Sequence, residues 1–420
     1  MKPITAFYCM AALTILLISN AAPAHQLPPN FEGFEDPATC KGCHSAIYEE
    51  WAGSYHNTAS IFKDQPQEAI YTAYTSAMHA AGKPHSYFCA SCHTPTAGNM
   101  DKLLSGQSEP DAKDATHMRG VTCSFCHKVE QLVEGEHFNS YKITNGLKGA
   151  TTVSEPHRVT SANLMASFRG CAGCHGKMIN DKGVQICGME EEGYSDCLKC
   201  HMETVDGAPA GGSAKVRHAG HSFPGGHDLG KVKGAVKLSM GAELGRLLVE
   251  VQNNTLHQFP SSSPLRVAYV KVEMFDKDGK SVFTNYKDNP AEDPQGQFSR
   301  ILAKKGRMGA PFWEAAAVFM NSRLRDKEIR TLIYRIPPGA VRATAKLYYM
   351  YAPPAAIKAF GIRPDGVIEK AHLIAEGNIA IGGQSLQLPL PPELMPQEGP
   401  PPGEPKKPDN LPESPKAPGI

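Results

Sequence analysis

Five copies of Cys-x-x-Cys-His lie within the first half of this chain: Cys40-Lys-Gly-Cys43-His44, Cys89-Ala-Ser-Cys92-His93, Cys123-Ser-Phe-Cys126-His127, Cys171-Ala-Gly-Cys174-His175 and Cys197-Leu-Lys-Cys200-His201. With 12 Cys and 17 His in 420 residues, chance placement gives only about 0.01 such motifs. A disulfide framework has no use for a histidine after every second cysteine. Structural zinc would take the Cys-x-x-Cys pairs two at a time and leave a fifth over. Covalent haem attachment explains all five: Cys40, Cys43, Cys89, Cys92, Cys123, Cys126, Cys171, Cys174, Cys197 and Cys200 form thioethers, and His44, His93, His127, His175 and His201 become proximal iron ligands. The expected cofactor is therefore five covalently bound haem c groups.

The N-terminus reads as an export signal. Lys2 begins it, Ala11 to Ile18 is a short apolar run, and Ala22-Pro23-Ala24 is a small-residue cleavage site. Residues 1–24 are thus expected to be removed, and the apolar run is too short to span a membrane. Cys9 leaves with them, so Cys187 is the one mature cysteine outside a motif. The expected location is the periplasm, the cell surface or the exterior, with no transmembrane segment. A formal charge of +1 offers no electrostatic footprint for nucleic acid.

Composition divides the rest. Residues 25–232 are rich in Gly, Cys and His with few long apolar periods, so a mainly α and irregular haem-binding domain is expected, with helices at Ser45 to Phe62 and Gln67 to Ala81. Residues 233–385 carry β-branched and alternating segments at Leu247–Gln252, Arg266–Asp276, Lys280–Thr284, Ile329–Ile336 and Ala343–Tyr351, separated by turn signals. They read as an antiparallel β-sandwich. Residues 386–420 are dominated by Pro, which suits an extended, disordered tail. The fold class is accordingly α+β and multidomain.

The motifs and their surroundings resemble the cytochrome c-552/c-554 family of multihaem c-type cytochromes. The resemblance rests on Trp51-x-x-Ser54-x-His56 after the first motif and on Gly120-Val121-Thr122-Cys123-Ser124-Phe125-Cys126-His127. It extends to Tyr141-Lys142 through Pro156-His157, to Cys197-Leu-Lys-Cys200-His201-Met202, and to Asn253-Asn254-Thr255-Leu256-His257-Gln258-Phe259-Pro260 at the start of a β-domain. It implies electron transfer through closely packed haems with histidine on both sides of the iron, exchanging electrons with a redox protein donor and acceptor.

Setting aside the proximal histidines and His25, eleven histidines remain for five distal positions. His56 follows His44 by twelve residues, roughly 18 Å along a continuous helix, which directs it to a neighbouring haem. His157 has the family-like context, and His221 and His227 lie in a glycine-rich loop that approaches a porphyrin closely. His79, His117 and His257 complete the distal candidates. His85, His137, His218 and His372 suit propionate pairing or the surface, as do Lys41, Lys128, Lys199, Arg119, Arg158 and Arg169. Two other functions fit the same motifs: a haem enzyme acting on a small nitrogen or sulfur compound at one open iron, and a homo-oligomer or cytochrome filament completed between copies.

Overall fold

The computed structural model describes residues 24–189, 196–213 and 216–381, which form one compact unit. The export signal up to residue 23 and the Pro-rich tail lie outside the described residues. The molecule mixes helix and strand, with antiparallel sheets in its C-terminal region.

Each haem motif is built on a single helical turn, because the i, i+3 spacing puts both thiols on one face and the histidine on the next residue. Short helices cover Ala90–His93, Cys123–His127, Ala172–His175 and Cys197–His201. In the first motif Cys40 lies in the last turn of the Pro37–Lys41 helix, and His44 is the N-cap of Ser45–Ala52. Thr122 caps the third: its hydroxyl accepts the Phe125 amide.

The helix expected over residues 45–62 is broken. It stops at Ala52, passes through Gly53 and the extended Ser54, and restarts as Tyr55–Thr58. The second expected helix runs Gln65–Ala80, with Asp64 capping it through the Gln67 amide. Among its described residues the haem-motif half also carries four two-stranded sheets that the composition does not announce, among them Val129–Val133 with Ser140–Ile143.

From Val236 onward two antiparallel sheets share one core. A three-stranded sheet runs in the order Ile329–Arg335, Arg246–Asn253, Val236–Glu243. A seven-stranded sheet centres on Val267–Phe275 paired with Arg342–Met350, in register from Val267 opposite Met350 to Phe275 opposite Arg342. Alternate residues of both central strands point inward, so Ala268, Val270, Val272 and Met274 meet Leu247, Val249 and Val251 of the facing sheet. All five expected strands are present; Val236–Glu243, Gln297–Lys304, Ala317–Asn321 and His372–Ala380 are additional.

The two halves are bonded to each other. Asn180 donates to the carbonyls of Phe312 and Ala315, and the Tyr349 hydroxyl donates to the Gly226 carbonyl. No helix among the described residues is long and apolar enough to cross a membrane.

Candidate functional site

Four of the five motif histidines face a second histidine. The ring centroids of His44 and His157 are 6.0 Å apart, those of His56 and His175 6.1 Å, His127 and His221 6.5 Å, and His201 and His257 6.4 Å. A metal ion takes about 2 Å to each imidazole nitrogen, and a ring centroid sits about 1.1 Å behind its nitrogen, so imidazoles on opposite sides of one ion have centroids about 6.2 Å apart. The observed gaps fit that length. Two pairs are nearly parallel, at 18° and 23°, and two are tilted, at 54° and 55°.

Backbone carbonyls orient the rings. Nδ1 of His44 lies 2.6 Å from the Pro209 carbonyl, that of His93 2.9 Å from Ala59, that of His127 2.7 Å from Lys148, and that of His201 2.6 Å from Pro224. A carbonyl can only accept, so each Nδ1 carries the proton and Nε2 keeps the lone pair that iron requires. On the opposite side, Nδ1 of His221 and His257 donate to Ala219 and Gln258 at 2.8 and 3.0 Å. Burial favours the neutral, ligating form: it pushes His56 down to about 3 and lowers His127, His175, His201 and His221.

The motifs are also close to one another. The Cys40 and Cys123 side chains neighbour each other, as do those of Cys92 and Cys174 and of Cys171 and Cys197, while Cys126 lies near Cys171 and Cys174. Motif one therefore adjoins motif three, and motif four adjoins motifs two, three and five.

The remaining distal candidates lie elsewhere. His117 is buried with both ring nitrogens engaged, one accepting the Asp111 amide and the other bonded to Asn99. His227 stacks on Tyr55 at 3.8 Å, and His79 sits beside His85. All 17 histidines are among the described residues, and none has its ring facing His93 at the spacing of the four pairs. Three of the cations considered for propionates have carboxylate partners instead: Lys41 with Glu49, Lys128 with Glu35, and Arg119 with Asp36.

Residues 39–128 match the family described as cytochrome c554 and c-prime. The fold is similar to that of a penta-heme cytochrome c552 from Thermochromatium tepidum, with a TM-score of 0.68 and 23% identity, covering 83% of this chain and 99% of that one. Residues 39–128, which hold the first three Cys-x-x-Cys-His motifs, thus match a cytochrome family, and the chain shares the fold of a penta-heme cytochrome. A superoxide reductase is also similar at a TM-score of 0.16 and 8% identity, over 35% of this chain and 87% of that one, a likeness too weak to carry argument. No curated protein matches the chain. The family match and the shared fold support an electron-transfer protein with covalently bound haem c.

The family-like Gly120-Val121-Thr122 segment has a visible purpose in the structure. The Val121 amide donates to the His56 carbonyl, and Trp51 Nε1 donates to the Val121 carbonyl at 2.8 Å, clamping the Tyr55–Thr58 turn that presents His56 to His175. A Cβ on Gly120 would stand 2.1 Å from the His56 carbonyl oxygen. Gly120→Ala is expected to cost about 1–3 kcal/mol by overpacking and to push His56 off its position. Thermal melting and the haem absorption of the variant check this; unchanged values for both would refute it.

Sequence reasoning set His25 aside, yet it is a structural residue. Its Nε2 bonds the Ser91 carbonyl, its Nδ1 accepts the Tyr141 amide, and its ring lies 5.0 Å from that of Phe125. Burial pushes it down to about 4, the Ser91 bond opposing. The unfolded chain therefore takes up a proton near pH 6.5 that the folded chain refuses until about pH 4, and stability falls as pH drops through that window. Between pH 7 and 4.5 the parent should lose about 2–3 kcal/mol more than His25→Gln. Denaturant melts at the two pH values measure the difference, and parallel losses would contradict it.

The missed contributors are mostly backbone. Pro209, Ala59, Lys148 and Pro224 act through carbonyls, which no side-chain pattern could advertise. Glu50 is an exception: its carboxylate accepts the His221 amide at 2.8 Å and bonds His218 at 3.2 Å, fixing the glycine-rich loop.

Proposed function

We propose that this cytochrome relays single electrons through five haems in the periplasm or at the cell surface, between a donor and an acceptor redox protein. Four haems would be held between histidines, in the pairs His44/His157, His56/His175, His127/His221 and His201/His257. The observation that carries this reading is the set of four imidazole gaps of 6.0–6.5 Å. Each haem supplies a one-electron iron couple when bound. The chain's own part is to fix imidazoles whose geometry changes little between oxidation states, to exclude water, and to bring neighbouring motifs to within thiol contact.

The thiol contacts give the relay an order. Haem one passes to three and three to four, while two and five both adjoin four. The fourth haem is then the junction, and one, two and five are the ends at which partners exchange electrons. The count of five agrees with the penta-heme neighbour, and the two facing sheets are the proposed β-sandwich against which the relay rests.

A second reading is favoured by one observation, the absence of a histidine facing His93. The iron there would keep an open distal position, which a small nitrogen or sulfur compound could occupy. Intact mass, EPR and carbon monoxide titration test both readings together. The expected result is five haems by mass, four low-spin signals, one high-spin signal and one equivalent of bound carbon monoxide. Five low-spin haems without carbon monoxide binding would remove the second reading; two or more high-spin haems in the parent would overturn the ligand pairs.

A further inference from the structure

We propose that His79, His85 and Glu109 form a site for a divalent first-row transition-metal ion, separate from the haem irons. His79 stands in the last turn of the Gln65–Ala80 helix, His85 in the connection that follows, and Glu109 beyond the Met100–Ser105 helix. One ligand atom from each lies within 4.8 Å of the others. His85 Nε2 is 2.9 Å from Glu109 Oε1, and the two imidazole centroids are 4.7 Å apart. Neither histidine belongs to a facing pair.

The backbone holds these three elements in place. The Tyr87 amide donates to the Leu103 carbonyl at 3.0 Å, and Gly106, left-handed at φ +73°, passes so close that a Cβ would stand 2.3 Å from the His85 carbonyl oxygen. The helix end at His79 is fixed by the Gly82 amide on the His79 carbonyl and by the Lys83 amide on that of Met78. Closing three ligands that already lie this close around an ion needs side-chain rotation only.

Two imidazoles and one carboxylate, with His79 and Glu109 exposed and His85 half-buried, select borderline ions such as Zn²⁺ and Cu²⁺, with water completing the sphere. The position gives the site a relation to the relay. Tyr71 and Tyr74 on the same helix pack their rings on Tyr87 and Phe88, which lead directly into Cys89. A metal here would sit behind the second haem motif, whose His93 has no facing histidine.

The test is equilibrium dialysis of the holo-cytochrome against Zn²⁺ at micromolar concentration, with Cu²⁺ EPR for the ligand set. The parent should bind one equivalent that His79→Ala lacks. Glu109→Gln should bind at least 10-fold more weakly, and His137→Ala should match the parent. Haem absorption and melting unchanged in all three variants separate ligand loss from misfolding; because Glu109 is exposed, its variant leaves the fold intact. The copper signal should show nitrogen coupling in the parent that is lost in His79→Ala. Zn²⁺ uptake equal in parent and His79→Ala, or no uptake by the parent, overturns the proposal.

Discussion

His157→Gly should raise carbon monoxide binding from one equivalent to two and convert one low-spin haem to high-spin. His157 contributes little to folding, since it lies in an exposed stretch between the Leu147–Gly149 and Val159–Ser161 strands, and its ring faces His44 across 6.0 Å. The substitution removes the ligand while leaving its surroundings in place. The opposite ring is unaffected, because His44 is held by the Pro209 carbonyl. His221→Gly should do the same at the third haem, with a larger stability loss because it also removes the imidazole bond to the Ala219 carbonyl. His227→Gly is the control: its ring stacks on Tyr55 rather than facing a proximal histidine, and it should leave the carbon monoxide count at one. A parent-like count in His157→Gly, or a raised count in His227→Gly, would contradict the assignment of the pairs.

These partners mark the limit of what the sequence can tell. The Cys-x-x-Cys-His motifs are legible because thioether chemistry would impose a local spacing, and local spacing is what a sequence displays. Opposing histidines obey no such rule. His44 and His157 are 113 positions apart, and what brings them together is the folding of everything between. His56, His157, His221 and His257 face proximal rings, while His79, His117 and His227, equally available by sequence, are taken up by His85, by Asn99 and Asp111, and by Tyr55. His117 in particular is a buried histidine whose hydrogen bonds are already satisfied.

The sheets show the same division. Val267–Phe275 and Arg342–Met350 bury alternate residues on one face, so their period of two is written in the sequence. Val236–Glu243 and His372–Ala380 contain Gly241 and Gly377, which read as turn signals. Gly377 is in fact a packing requirement, since a Cβ there would stand 2.9 Å from Leu238 and 3.0 Å from Met240. Likewise the 45–62 helix has the composition to continue, but Trp51 anchored to Val121 turns the chain so that His56 points at the fourth motif.

Preventing haem attachment at the third motif, by Cys123→Ala with Cys126→Ala, should destabilise residues 24–230 far more than residues 236–381. The buried side chains of the first half fall into small groups, one around Phe125, Tyr141 and Leu164 and another around Tyr87, Leu103 and Leu104, whereas the sheets share one core that runs from Val236 to Ile374. A domain with only such fragments of core depends on the apolar faces of its porphyrins. If roughly 400 Å² of apolar surface is buried against one haem, its loss costs about 10 kcal/mol, comparable with the whole stability of a domain. The third motif is exposed to this effect. Phe125 lies at the centre of its cluster, Cys123 touches Cys40, and Cys126 neighbours Cys171 and Cys174, so one missing porphyrin leaves space beside two other haem motifs. Limited proteolysis with mass spectrometry should show cleavage throughout the haem-motif half and a surviving fragment containing the two sheets, an outcome that would also support the proposed domain boundary near residue 232. Equal resistance of both halves would mean that the polypeptide, rather than the porphyrins, closes the first core.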